Sequence, residues 1–96
     1  MHAICNVYTG EGANALYERL FSEAEKVREM LQGIPGFVSY TMVKTEGGGY
    51  SQVVVESPEV LADVGRVAGG HIKSIAAEIG GIDPPTSHVG PVGVHV

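Results

Sequence analysis

Apolar positions along this chain switch between a period of two and a period of three to four, and the switches mark out its elements. From His2 to Tyr8 the residues alternate, with Ala3, Cys5 and Val7 on one face and His2, Ile4, Asn6 and Tyr8 on the other, until Thr9-Gly10-Glu11-Gly12 breaks the pattern. This predicts a first strand and its exit turn. From Ala13 to Gly33 the positions Leu16, Leu20, Ala24, Val27 and Leu31, continued by Ile34, recur at helical spacing, while Glu18, Arg19, Glu23, Glu25, Lys26 and Glu29 fill the other side. One amphipathic helix is expected, capped near Gly33 and stopped by Pro35.

Two further strand-like segments, Phe37 to Thr45 and Tyr50 to Glu56, flank Glu46-Gly47-Gly48-Gly49. Glycine supplies positive φ without steric cost, so the four residues read as a hairpin loop. With that loop Thr45 faces Tyr50, Met42 faces Val53 and Tyr40 faces Val55, and Val38 joins them on a dry face. The opposite face carries Val43, Val54 and, beyond them, Phe37, mixed with Ser39, Thr41 and Gln52. A run such as Val53-Val54-Val55 suits a central strand covered on both sides. Ser57-Pro58-Glu59 then opens a second helix with an N-cap hydroxyl, a proline in the first turn and an acid near the positive end of the dipole. Its stripe is Leu61, Val64, Ala68, Ile72, Ile75 and Ile79, closed by Gly80-Gly81. Asp83-Pro84-Pro85-Thr86 is a stiff linker, and His88 to Val96 is expected to form a last strand, at an edge because Pro91 lacks a ladder donor.

The order βαββαβ with right-handed connections predicts an α+β, ferredoxin-like domain over residues 1–96: a four-stranded antiparallel sheet in the order 4-1-3-2 with two helices on one face. The other face remains too apolar for water, which predicts a homodimer packed sheet against sheet. Composition narrows the partners. The formal charge is −5 and no Lys/Arg cluster is present, so nucleic acid is not an expected partner. Cys5 is the only cysteine, the N-terminus has no leader pattern and no segment approaches the length of a membrane span, so a soluble cytoplasmic protein is expected.

Several features together resemble the dimeric α/β-barrel superfamily, in particular its antibiotic-biosynthesis monooxygenase branch. They are a first strand with Asn6, a long helix, the turn Ile34-Pro35-Gly36-Phe37, a hairpin ending in Val55-Glu56-Ser57-Pro58-Glu59, a second helix and a Pro-Pro step into the last strand. The resemblance covers nearly the whole chain and implies a dimeric α/β barrel with a mostly apolar pocket between the sheet and the second helix, suited to a flat hydrophobic or aromatic molecule. Members range from cofactor-independent quinol oxygenases and haem-degrading oxygenases to domains of no known activity, and fold does not choose among them. The resemblance is therefore compatible with a monooxygenase and with a non-catalytic dimerisation or ligand-sensing domain.

Site residues follow from the same resemblance. In the quinol oxygenases a strand-three Asn and Trp line the pocket; the matching positions here are near Ser51 and at Val55, and the chain contains no Trp. In the haem-degrading branch a strand-one Asn and a helix-two His are matched by Asn6 and His71, which the resemblance marks as the catalytic candidates, with haem as the implied cofactor. That branch's Trp would fall near Leu61 and is missing. A neutral imidazole can ligate haem iron and an amide can hydrogen-bond oxygen bound there. If Ala3, Cys5 and Val7 lie under the helices, Asn6 faces the dimer and cannot share a pocket with His71. Gly65, Gly69 and Gly70 lie inside the second helix at about 1 kcal/mol each relative to alanine; they either bare the backbone for a ligand or allow close packing or a break. Tyr40 and Arg66 complete the ligand-binding candidates with Ser51, Val55, Gly69 and Gly70. His2 and His95 could be neighbours across the first and last strands, but no third ligand stands at fixed spacing, so no metal site is assigned.

Overall fold

A computed structural model describes residues 1–96. The strands are β1 (His2–Tyr8), β2 (Phe37–Thr45), β3 (Gly48–Val55) and β4 (Thr86–Pro91). All neighbours are antiparallel and the sheet order is β2-β3-β1-β4, the ferredoxin-like arrangement expected from the element order. The helical layer is more segmented than the apolar period implies. The first arm is α1 (Ala13–Ser22) followed by α2 (Ala24–Gln32), hinged at Glu23, whose φ of −106° and ψ of 22° leave the helical region. The second arm is α3 (Pro58–Val64), a π-helical turn over Gly65–Gly69, and α4 (Gly70–Ile79). It does not break at its glycines; it widens by one turn of i→i+5 bonding. No helix is long and apolar enough to cross a membrane.

The predicted stripes form the core. Leu16, Leu20, Val27, Leu31 and Ile34 from the first arm, and Val64, Ala68 and Ile75 from the second, are buried with Val53 and Val55 of β3. Tyr17, outside the stripe read from the sequence, is only 1% exposed and is among the largest fully buried side chains.

Tyr17 explains why the hairpin differs from its expected form. Only Gly47 of the three loop glycines has positive φ, at 79°, and Gly48 and Gly49 are buried strand residues. A Cβ on Gly49 would stand 2.5 Å from the Tyr17 ring. These glycines serve close approach, and the turn shrinks to Glu46-Gly47. Thr45 therefore faces Gly48, Met42 faces Ser51 and Tyr40 faces Val53, two residues away from the expected register. An even slip keeps each side chain on its face, so Tyr40, Met42, Val53 and Val55 still point to the helices. Phe37 is the exception. The register shifts between Phe37 and Ser39, a bulge at Val38 that turns Phe37 to the helix side, where it packs on the core.

The pairing of β1 settles its faces. His2, Ile4, Asn6 and Tyr8 stand opposite Val55, Val53, Ser51 and Gly49, so they share the helix side, and Ala3, Cys5 and Val7 face outward. The larger apolar groups, Ile4 and Tyr8, gain more by burial than Ala3 and Cys5. The alternative that sent Asn6 to the outer face is thus overturned. The last strand also shifts: β4 begins as soon as the chain leaves Pro84-Pro85 and ends at Pro91, which pairs with His2. His95 lies beyond the ladder and is not the neighbour of His2. The edge position expected from Pro91 is the one observed.

Two glycine substitutions should separate these roles. Gly49→Ala forces its new methyl into the Tyr17 ring and should cost roughly 1–3 kcal/mol. Gly69→Ala meets nothing within 4 Å and, at helical φ and ψ, should stabilise by up to about 1 kcal/mol. Thermal unfolding monitored by circular dichroism would show opposite shifts in Tm; shifts of the same sign would contradict this account.

Candidate functional site

The Glu23 hinge turns α2 toward the β2 edge of the sheet, and a cleft of about 290 Å³ opens between them. Val27 and Leu31 form its helical wall and Phe37 and Met42 its sheet wall, with Ala24 at the hinge end. Its polar groups are Tyr40 on the sheet and Arg28 and Gln32 on the helix. Each wall has a local cause. Val27 and Leu31 are one helical turn apart on the buried face of α2, and the Val38 bulge is what presents Phe37 on the inner side of β2.

Tyr40 stands near Tyr8, Tyr17 and the buried Ser51. Tyr8 and Tyr17 meet edge to face, with ring centroids 5.9 Å apart at 61°. Burial raises the pKa of all three phenols above the ordinary tyrosine value, and the Ser51 hydroxyl only partly offsets this for Tyr17 and Tyr40. At neutral pH the Tyr40 hydroxyl is therefore protonated and able to donate.

The residues singled out from sequence fall into separate neighbourhoods. Of these candidates only Tyr40 lines the cleft. Ser51 is 5% exposed on the floor of the helix-side core, opposite both Met42 and Asn6, and Val55 is fully buried. Asn6 accepts a hydrogen bond at Oδ1 from the Ser87 hydroxyl on β4, so Ser51, Asn6 and Ser87 form a polar row across three strands. Arg66 is exposed and bound to Asp63 at 2.7 Å. Added Cβ atoms at Gly65, Gly69 and Gly70 would meet nothing within 4 Å, so close packing does not require these glycines.

His71 is engaged elsewhere. Its Nε2 is 2.9 Å from Glu23 Oε1, while Glu23 Oε2 accepts from Arg19 Nε at 2.6 Å and Arg19 reaches Glu78 at 3.3 Å. The Arg19 hydrogen bond, and after it the one from His71, hold the Glu23 carboxyl below the usual carboxylate range. One carboxylate at the α1–α2 hinge thus ties the first arm to the start of α4. The Glu23 contact occupies Nε2 of His71, and neither His71 nor Asn6 lines the cleft. As placed, Asn6 is bound to Ser87 and His71 to Glu23. The cleft also lies against α2, the first helical arm, and not against the second arm where the pocket was expected. Val64, Ala68 and Ile75 are buried in the core, which fills that side.

Sequence reasoning passed over Arg28, Gln32 and Met42. The two helix residues carried no distinguishing motif, and their approach to β2 depends on the hinge. A shallower depression on the outer face is lined by Cys5, Gln52 and His88, brought together by cross-strand pairing.

Neither a family model nor a curated protein matches the chain. Solved structures do. A protein of unknown function from Nitrosomonas europaea, NE2512, superposes with a TM-score of 0.78 at 10% identity, over 99% of this chain and 91% of that one. A monooxygenase from the gene ActVA-Orf6 of Streptomyces coelicolor, in complex with nanaomycin D, gives 0.66 at 20% identity over 98% and 90%. A variant of MhuD with two manganese protoporphyrin IX molecules per active site gives 0.64 at 17% identity over 100% and 98%. Likeness at such identities speaks for architecture, not activity. The chain has the ferredoxin-like fold of the antibiotic-biosynthesis monooxygenase domains.

Proposed function

We propose that this protein binds a small, flat, largely apolar molecule in the cleft between α2 and β2, and that it does so as a cytoplasmic homodimer. The cleft carries the reading. It is concave, mostly apolar, and furnished with a few polar groups, the pattern of small-molecule sites. Its walls are helix and strand, anchored in the core by Val27 and Leu31. The dimer rests on the outer sheet face, where Val7 and Tyr50 are direct cross-strand partners, 37% and 39% exposed. The single free cysteine supports a reducing compartment.

Oxygenation of the bound molecule is the finer reading suggested by the fold and by neighbours described as monooxygenases. It ranks second on chemistry. The lining residues include no carboxylate and no imidazole, so the cleft itself supplies no general base; Tyr40 is a donor there. Asn6 and His71, the residues matched to the oxygenase pattern, would act only from outside it. Ligand binding without chemistry needs nothing beyond what the cleft contains.

Two measurements bear on this proposal. Titration with 2-naphthol, a neutral planar probe, should shift the methyl NMR signal of Met42 but not that of Met1. Met42→Trp, which fills the cleft, should weaken binding about tenfold or more, equivalent to about 1.4 kcal/mol, while leaving the fold intact. Unchanged affinity in that variant would place the site elsewhere. For the assembly, sedimentation should give a dimer for the native chain and a monomer for Tyr50→Glu, which puts a charge on the apolar outer face. A native chain that sediments as a monomer at micromolar concentration would remove the dimer.

A further inference from the structure

We infer that the molecule taken up in the α2–β2 cleft carries an anionic group, a carboxylate or a comparable oxyanion on a flat apolar body, and that Arg28 selects it. This rests on the cleft being the ligand site and adds the chemical class of the ligand.

Arg28 is the only charged residue among those lining the cleft, and no acidic side chain opposes it there. Its place on α2 follows from helical spacing. Ala24, Arg28 and Gln32 recur every four residues and form one ridge, beside the ridge of Val27 and Leu31. The apolar body of a ligand lies against Val27, Leu31, Phe37 and Met42, and its charged end reaches the guanidinium and the Gln32 amide at the α2 side.

The state of Arg28 differs from that of the other arginines. Arg19 is bound to Glu23 at 2.6 Å and Arg66 to Asp63 at 2.7 Å. The contact of Arg28 with Glu25 is 3.8 Å long between side chains 64% and 82% exposed, too loose to occupy the guanidinium fork. Its paired N–H donors match the two oxygens of a carboxylate. A chain with a net charge of −5 repels anions at long range, so capture of one requires a local, unengaged cation. Across the cleft, burial keeps the Tyr40 phenol protonated, so the second polar contact is also a donor. Every charged or phenolic group at the site thus suits an acceptor.

The test compares three probes with one ring system: 2-naphthoate, 2-naphthalenemethanol and 2-naphthylmethylammonium, titrated at low salt and followed by NMR. Naphthoate should bind about tenfold more tightly than the alcohol, the weight of one charge-assisted contact, and the ammonium most weakly. Arg28→Gln should erase the preference for naphthoate and leave the alcohol unchanged. Glu25→Gln, which removes a nearby negative charge but no tight partner, should strengthen naphthoate binding only slightly, and added salt should reduce the preference. Equal affinities for naphthoate and the alcohol, or an equal loss of both in Arg28→Gln, would overturn the role of Arg28 while leaving the cleft as the site. Failure of all three probes to bind would remove the site itself, and this inference with it.

Discussion

The fit of Tyr17 against Gly49 sets the spacing between the helical layer and the sheet, and much of the architecture depends on it. A ring pressed onto a strand leaves no room for a side chain beneath it, so β3 must carry glycine at that point. That demand uses a glycine that would otherwise have served the turn. The hairpin shortens, the β2–β3 register moves by two residues, and Ser51 comes to lie opposite Met42. Tyr17 in turn meets Tyr8 edge to face, which anchors α1 over the end of β1. The phenol group on the helix side is built around that one close contact.

The second organising contact is the Glu23 carboxylate. It stands where the first arm leaves helical geometry and accepts from two elements at once, Arg19 on α1 and His71 on α4. A residue so placed can fix a bend angle, because both oxygens are occupied in a definite geometry. The bend decides where α2 lies relative to the edge strand, and so decides that a cleft opens beside Phe37 and Met42 instead of beneath the second arm. His71 thus holds the scaffold at the hinge.

These placements separate Asn6 and His71 from the cleft. The fold is one that nature uses for oxygenases, yet here the acceptors and the imidazole are engaged in structural contacts, while the concave apolar surface holds donors. The π-helical turn at Gly65–Gly69 has open space around its glycines, and nothing in the packing explains the choice of glycine there.

Periodicity alone determined the element order, the ferredoxin-like topology and most of the buried stripes, because each depends on which face of a helix or strand is apolar, a local property of neighbouring residues. It also identified Pro91 as an edge feature, since a missing N–H is a covalent fact. Only tertiary structure decided which face of β1 turns inward, because both faces of His2 to Tyr8 are plausible until Ile4 and Tyr8 compete with Ala3 and Cys5 for the core. The hairpin register could not be read, because Gly48 and Gly49 look like turn glycines until Tyr17 lies over one of them. The bulge at Val38 and the hinge at Glu23 leave no trace in apolar spacing, and together they position Phe37, Val27 and Arg28 around the cleft. The candidate site was therefore the least legible part of the chain: its residues come from two elements whose approach is set by contacts remote in sequence, among them those of Glu23 with His71 and of Arg19 with Glu78.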